Sequence, residues 1–253
     1  MRIVPVLAQL SILGMLSIAL APCAHADSTV NATDDIYAVG SQSGYADNSY
    51  GGSTGYAPTG IAIGSGVTSY NFSATVSSGT FTINNGNGSA TVYNDPDGLG
   101  IGAAPTSSNT GLDSISGITA PGQGYLVGVF IGAGGPSGQA PSPLDFVNTS
   151  FSTLSPLLDQ VFFIGDGLTG DRSGSEQTFY VPTGATELYL GISDALDYSG
   201  TPGAYGDNLG TYDVVVTPLD EGPSTTPEPS SLLLLGTGIL GMAGMLRRKI
   251  LAR

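Results

Sequence analysis

Short apolar or alternating runs, broken by glycine and proline, set the rhythm of this chain. YNFSATV (70–76) and GTFTIN (79–84) alternate in side-chain character, and SATVYN (89–94) follows the turn-rich NNGNG. Together they predict a β-meander. YLVGVFI (125–131), QVFFI (160–164), QTFYVP (177–182), TELYLGI (186–192) and TYDVVVTP (211–218) add five more strands. Between the two groups, NDPDGLGIGAAPTSSNTGLDS (94–114) reads as loop, and only TSFSTLSPLLDQ (149–160) suggests a helical turn. Eight strands without a helical layer predict an all-β fold, an antiparallel jelly-roll-like β-sandwich over residues 67–218. Residues 27–66 carry Tyr37, Tyr45, Tyr50 and Tyr56 among Gly and Ser with neither strand nor helix period, and so read as an extended arm.

The two ends change the picture. Arg2, the apolar stretch from Ile3 to Ala21 and the small residues Ala24 and Ala26 around His25 predict a helical secretory signal peptide over residues 1–26, with Asp27 the first mature residue. Pro22 before Cys23 argues against lipidation. The only Cys and the only His of the 253 residues, Cys23 and His25, leave with this segment. The mature chain then has no thiolate and no imidazole, which excludes Ser-His-Asp and Cys-His catalysis and the usual zinc and copper ligand sets. All 20 acidic residues lie between Asp27 and Glu228, where Arg172 is the sole basic residue. So anionic an exterior disfavours nucleic acid and favours divalent cations.

At the other end, residues 219–230 form a Pro-rich acidic linker, followed over 231–249 by a transmembrane helix and basic stop. Leu232 to Leu246 is apolar or glycine throughout. At about 1.5 Å per residue it spans about 23 Å, short of a bilayer core of about 30 Å unless flanking residues snorkel. Arg247, Arg248 and Lys249 are expected to stay cytoplasmic. The order Pro227-Glu228-Pro229, apolar helix, Arg247-Arg248-Lys249 resembles the PEP-CTERM sorting signal of Gram-negative bacteria. The resemblance implies an exosortase as partner, a stage of inner-membrane anchoring, and delivery to the cell surface or extracellular matrix.

Candidate chemistry sits in LYLGISDALDYSGTPGAYGDNLGTYDVVV (188–216). Asp194 follows one predicted strand; Asp207 and Asn208 precede the next. An antiparallel hairpin would bring these oxygens together around Ca2+, which takes six to eight oxygen ligands. Ordinary solvated turn chemistry for Asp, Asn and Gly is the alternative. The order strand, Asp, Pro-Gly-x-Tyr, Asp-Asn-x-Gly, strand resembles the calcium-dependent galactose-binding lectins of bacteria. That resemblance implies a metal site of Asp194, Asp207, Asn208 and the Ala204 carbonyl, with the ion and the two aspartates, Asp194 and Asp207, engaging sugar hydroxyls. It departs from the family in lacking a histidine beside a proline. Asp95 and Asp97 lack the ligand series of an EF-hand and read as a turn. Asp166, Asp171 and Arg172 read as a surface ion pair in a second acidic loop.

These features predict a non-catalytic, exported surface protein that binds calcium and contacts extracellular polysaccharide. A structural coat component without ligand is the alternative. A glycoside hydrolase, needing two carboxylates about 5–9.5 Å apart, fits less well, because no Trp is present to platform a sugar.

Overall fold

The computed structural model describes residues 26–40, 55–77, 80–84, 90–98, 106–170 and 173–220. Residues 1–25 of the expected signal peptide, the linker from 221 on with its Pro-Glu-Pro motif and the C-terminal helix lie outside the described residues; Ala26 and the first linker residues, Leu219 and Asp220, fall in strands. Among those described the chain is all-β, with single 3-10 turns at Ile36–Ala38, Leu196–Tyr198 and Tyr205–Asp207. In chain order the strands are β1 (Ala26–Asn31), β2 (Gly60–Ala62), β3 (Val67–Val76), β4 (Phe81–Asn84), β5 (Ala90–Tyr93) and β6 (Ser107–Leu112). There follow β7 (Ile115–Ala120), β8 (Leu126–Gly132), β9 (Leu144–Asp145), β10 (Thr153–Leu154), β11 (Phe162–Phe163) and β12 (Leu168–Gly170). The last are β13 (Ser173–Glu176), β14 (Thr178–Tyr180), β15 (Ala185–Ile192), β16 (Ser199–Gly200) and β17 (Thr211–Asp220).

Three layers stack. A five-stranded sheet, β1-β17-β3-β14-β10, faces a four-stranded sheet, β11-β8-β15-β2. The core between them takes Tyr70, Phe72, Phe179, Val214 and Val216 from the first sheet and Leu126, Phe130, Phe162 and Leu188 from the second. Strand β17 shows the period-2 alternation of a half-buried strand, with Tyr212, Val214 and Val216 inward and Asp213 and Val215 outward. The other face of the second sheet is also covered: Val127, Val129, Ile131 and Phe163 pack against Ile115, Ile118 and Ala120 of a third sheet, β16-β6-β7-β9. That is why β8 is apolar almost end to end, since neither of its faces meets water. Rings cement the main core: Phe130 lies 5.3 Å from Phe162, Phe162 5.5 Å from Phe179, and Phe72 5.1 Å from Phe179. Such pairs contribute about 0.5–1.5 kcal/mol each beyond the area they bury.

Five expectations change. Residues 27–66 are no loose arm where described: β1 pairs along its whole length with β17, β2 adds to the central sheet, and Ile36 and Tyr37 are buried. The predicted loop 94–114 contains β6, which pairs with β7 to build the third layer. The meander holds only for β4 with β5; β3 instead pairs with β14 and β17. The 149–160 stretch forms the short strand β10 rather than a helical turn, and β10 pairs with β14 in parallel. Two further short pairings, β16 with β6 and β7 with β9, are also parallel, so the sheets are not purely antiparallel.

Candidate functional site

The segment joining β15 to β17 leaves the central sheet at Ile192 and enters the five-stranded sheet at Thr211. It is therefore a crossing between layers, not the hairpin expected from the strand spacing. Its ends still meet. The Tyr205 hydroxyl donates to the Ile192 carbonyl (3.1 Å) and accepts from the Asp194 N–H (3.0 Å). Gly203 N–H donates to the Asp194 carbonyl at 3.1 Å, and Ala195 bridges Pro202. Asn208 donates through Nδ2 to Asp194 Oδ2 at 2.8 Å and to the Ala32 carbonyl at 3.3 Å. The turn is tight enough to force left-handed backbone on three residues that carry a Cβ: Asp197 (φ 52), Tyr198 (φ 60) and Ala204 (φ 71). Such conformations cost of order 1–3 kcal/mol each and persist where their surroundings over-determine them.

Of the sequence-predicted site residues, Asp194 and Asn208 are thus in direct contact, and Asp207 is close enough that its charge acts on Asp194. Ala204 lies in the same turn, next to Tyr205. Asp194 is 4 % exposed and Asn208 2 %. Burial pushes the Asp194 carboxyl up to about 8; bonds from Asn208 and Ala195 oppose the shift, while Asp207 and Asp35 add to it. The described residues contain no Lys, Arg or His, so no side-chain cation among them offsets these charges. Asn208 Oδ1 is buried and accepts no hydrogen bond. An orphaned buried acceptor beside clustered carboxylates fits a hard cation, which would draw on such oxygens.

Around this knot the surface is open and partly apolar. Leu209, next to Asn208, is 68 % exposed, and Tyr56, whose carbonyl accepts from Asp35 N–H, is 62 % exposed. Tyr37, one of the arm tyrosines, instead turns inward and shares a 2.8 Å hydrogen bond with Ser193.

A second acidic group went unrecognised in the sequence. Asp95, Asp97 and Asp166 are buried, and their ligand oxygens all lie within 4.8 Å of one another. Asp97 N–H donates to Asp95 Oδ1 (2.9 Å), Asp166 N–H to Asp97 Oδ1 (2.8 Å) and Leu168 N–H to Asp166 Oδ1 (2.8 Å). The turn expected at Asp95 and Asp97 is there, but its carboxylates face inward. Asp166 belongs to this group; Asp171 and Arg172, its partners in the expected ion pair, lie outside the described residues. Glycine makes the approach possible: at Gly165 (φ 60) a methyl group would overlap Asp97 Oδ1. No local spacing could have revealed the group, since Asp97 and Asp166 are 69 positions apart.

No curated protein and no solved structure matches this chain. Residues 225–249, which contain Pro227, Glu228, Pro229, Arg247, Arg248 and Lys249, match the PEP-CTERM protein-sorting motif. The chain carries, in that segment, the sorting signal of an exported protein processed by an exosortase.

Proposed function

We propose that this exported protein is a non-catalytic calcium-binding surface module that contacts extracellular polysaccharide through a jelly-roll-like sandwich. The observation that carries the reading is the buried Asp194–Asn208 contact, with Asp207 beside it and no basic side chain among the described residues to balance the charge. Asp194, Asp207, Asn208 and the Ala204 carbonyl would supply oxygens to Ca2+, which favours mixed carboxylate, amide and carbonyl coordination. The ion would neutralise Asp194 without a proton and recruit Asn208 Oδ1. With Asp194 and Asp207 it would also offer a place for vicinal sugar hydroxyls. Exposed Leu209 and Tyr56 give apolar surface near the rim, where a sugar face can rest.

Binding to the folded state alone stabilises it by mass action. The test is a thermal melt with calcium and with chelator, followed by a glycan array in calcium. A calcium-dependent rise in Tm with glycan retention supports the whole reading. A rise without any glycan leaves a calcium-stabilised coat protein, and no rise removes the site.

A further inference from the structure

We infer that the end of the sandwich from which the sorting segment leaves is a docking surface for the exosortase, and that its pocket receives a Lys or Arg side chain of that enzyme. The inference rests on the sorting motif and stands apart from the calcium reading. Strand β17 ends at Asp220, and Asp220 lines a cavity of about 280 Å³ at the mouth between the two main sheets. Ile61 comes from β2, the edge strand of the central sheet; Val67 and Tyr70 come from β3, and Val216 and Pro218 from β17. Ala26 forms a further wall and is expected to leave with the signal peptide, which opens the pocket more widely. The lining is mostly apolar, and its one charged residue is Asp220, which is exposed. The volume falls just under the range of about 300–1,000 Å³ for small-molecule sites. One long side chain therefore fills it better than a drug-sized ligand. A carboxylate beside apolar walls selects an apolar stem with a cationic head, as in Lys and Arg.

Chain length decides which partner meets this end. Only residues 221–226 separate Asp220 from Pro227, and the seven Cα steps between them reach at most about 25 Å. The apolar run at Leu232 starts three positions after Pro229, so an enzyme acting at the Pro-Glu-Pro motif works at the membrane surface. The ten residues of β17 extend about 30 Å, at about 3.3 Å each. The crossing over 193–210 precedes Thr211 and so lies at the far end of that strand, beyond the reach of the tether. The Asp220 end is the part of the folded domain that the enzyme encounters.

The test uses the full-length protein in cells that express the exosortase. The mature chain has no native cysteine once Cys23 is removed, so a photoreactive thiol label can be placed by Ser65→Cys. Ser65 is exposed and lines the pocket. Leu209→Cys, exposed at the crossing, is the control. The expected result is an adduct with the exosortase from position 65 and none from position 209. An adduct from position 65 with lipid or a second copy alone, equal adducts from both positions, or no adduct overturns the inference. Pulse-chase gives the second readout. Asp220→Lys should slow removal of the C-terminal segment about tenfold by like-charge repulsion. Asp213→Lys, exposed near the other end of β17, should leave the rate unchanged. Equal slowing by both variants, slowing by neither, or no processing of wild type overturns the inference. Should Asp220→Lys fail to fold, the adducts decide.

Discussion

Asn208 donates its side-chain amide to the Asp194 carboxylate at 2.8 Å, fourteen positions away, and so closes the crossing that carries the chain from one sheet to the next. Such a hydrogen bond contributes about 0.5–1.5 kcal/mol while the carboxyl is protonated and about 1.5–3 kcal/mol once it is ionised. Asn208→Ala should therefore destabilise the fold by about that amount and also remove the orphaned oxygen Oδ1. Thermal unfolding with and without calcium checks both: Tm falls, and the calcium-dependent part of Tm shrinks. An unchanged calcium response would take Asn208 out of the site.

The pH dependence has a definite sign. The folded-state value for Asp194 is raised from 3.8 to about 8, mainly by burial, so the folded state holds this proton more tightly than the unfolded one. The corresponding stability is fully present below pH 4 and is lost as pH rises through about 8. In chelator, Tm should fall across that window. Calcium competes with the proton, so its stabilisation should be larger at pH 9 than at pH 6. Asp194→Asn should flatten the part of the pH profile that belongs to this group. A variant profile parallel to wild type would contradict the assignment.

Tyr205 holds both ends of the crossing through one hydroxyl, donating to Ile192 and accepting from Asp194. Tyr205→Phe keeps the ring and leaves two buried backbone groups without their partner. A loss of about 1–3 kcal/mol in a urea titration is expected, with the slope m unchanged because the same surface unfolds. A loss well below that range would mean the ring alone positions the loop.

Sorting is a separate property with its own test. Replacing Pro227, Glu228 and Pro229 by alanine should leave the chain at the inner membrane, because the matched motif spans these residues. Cell fractionation reads the outcome. Surface delivery at the wild-type level would show that the motif is not what directs this chain.

What was legible in the sequence followed local period and local spacing. The alternating β17 and the apolar β8 announced themselves because each side chain's exposure depends on which face it occupies. β6 and β7 did not. Their sequences, SSNTGL and ISGITA, are rich in Ser, Thr and Gly, and glycine is required where they approach each other: a methyl at Gly117 would overlap the Asn109 carbonyl. Asp194, Asp207 and Asn208 were singled out because they flank one segment. The Asp95–Asp97–Asp166 group was not, because chain topology alone brings Asp166 to the other two. The predicted hairpin failed on length: a connection with two 3-10 turns has room to change sheets.

The central claim is that the buried carboxylate of Asp194 belongs to a calcium site. Isothermal titration of calcium into the purified full-length protein, beside its Asp194→Asn variant, addresses it most directly. Saturable binding by wild type, with the heat from this site absent in the variant, is the predicted result. Identical titrations for the two proteins, or no binding by wild type, would contradict it.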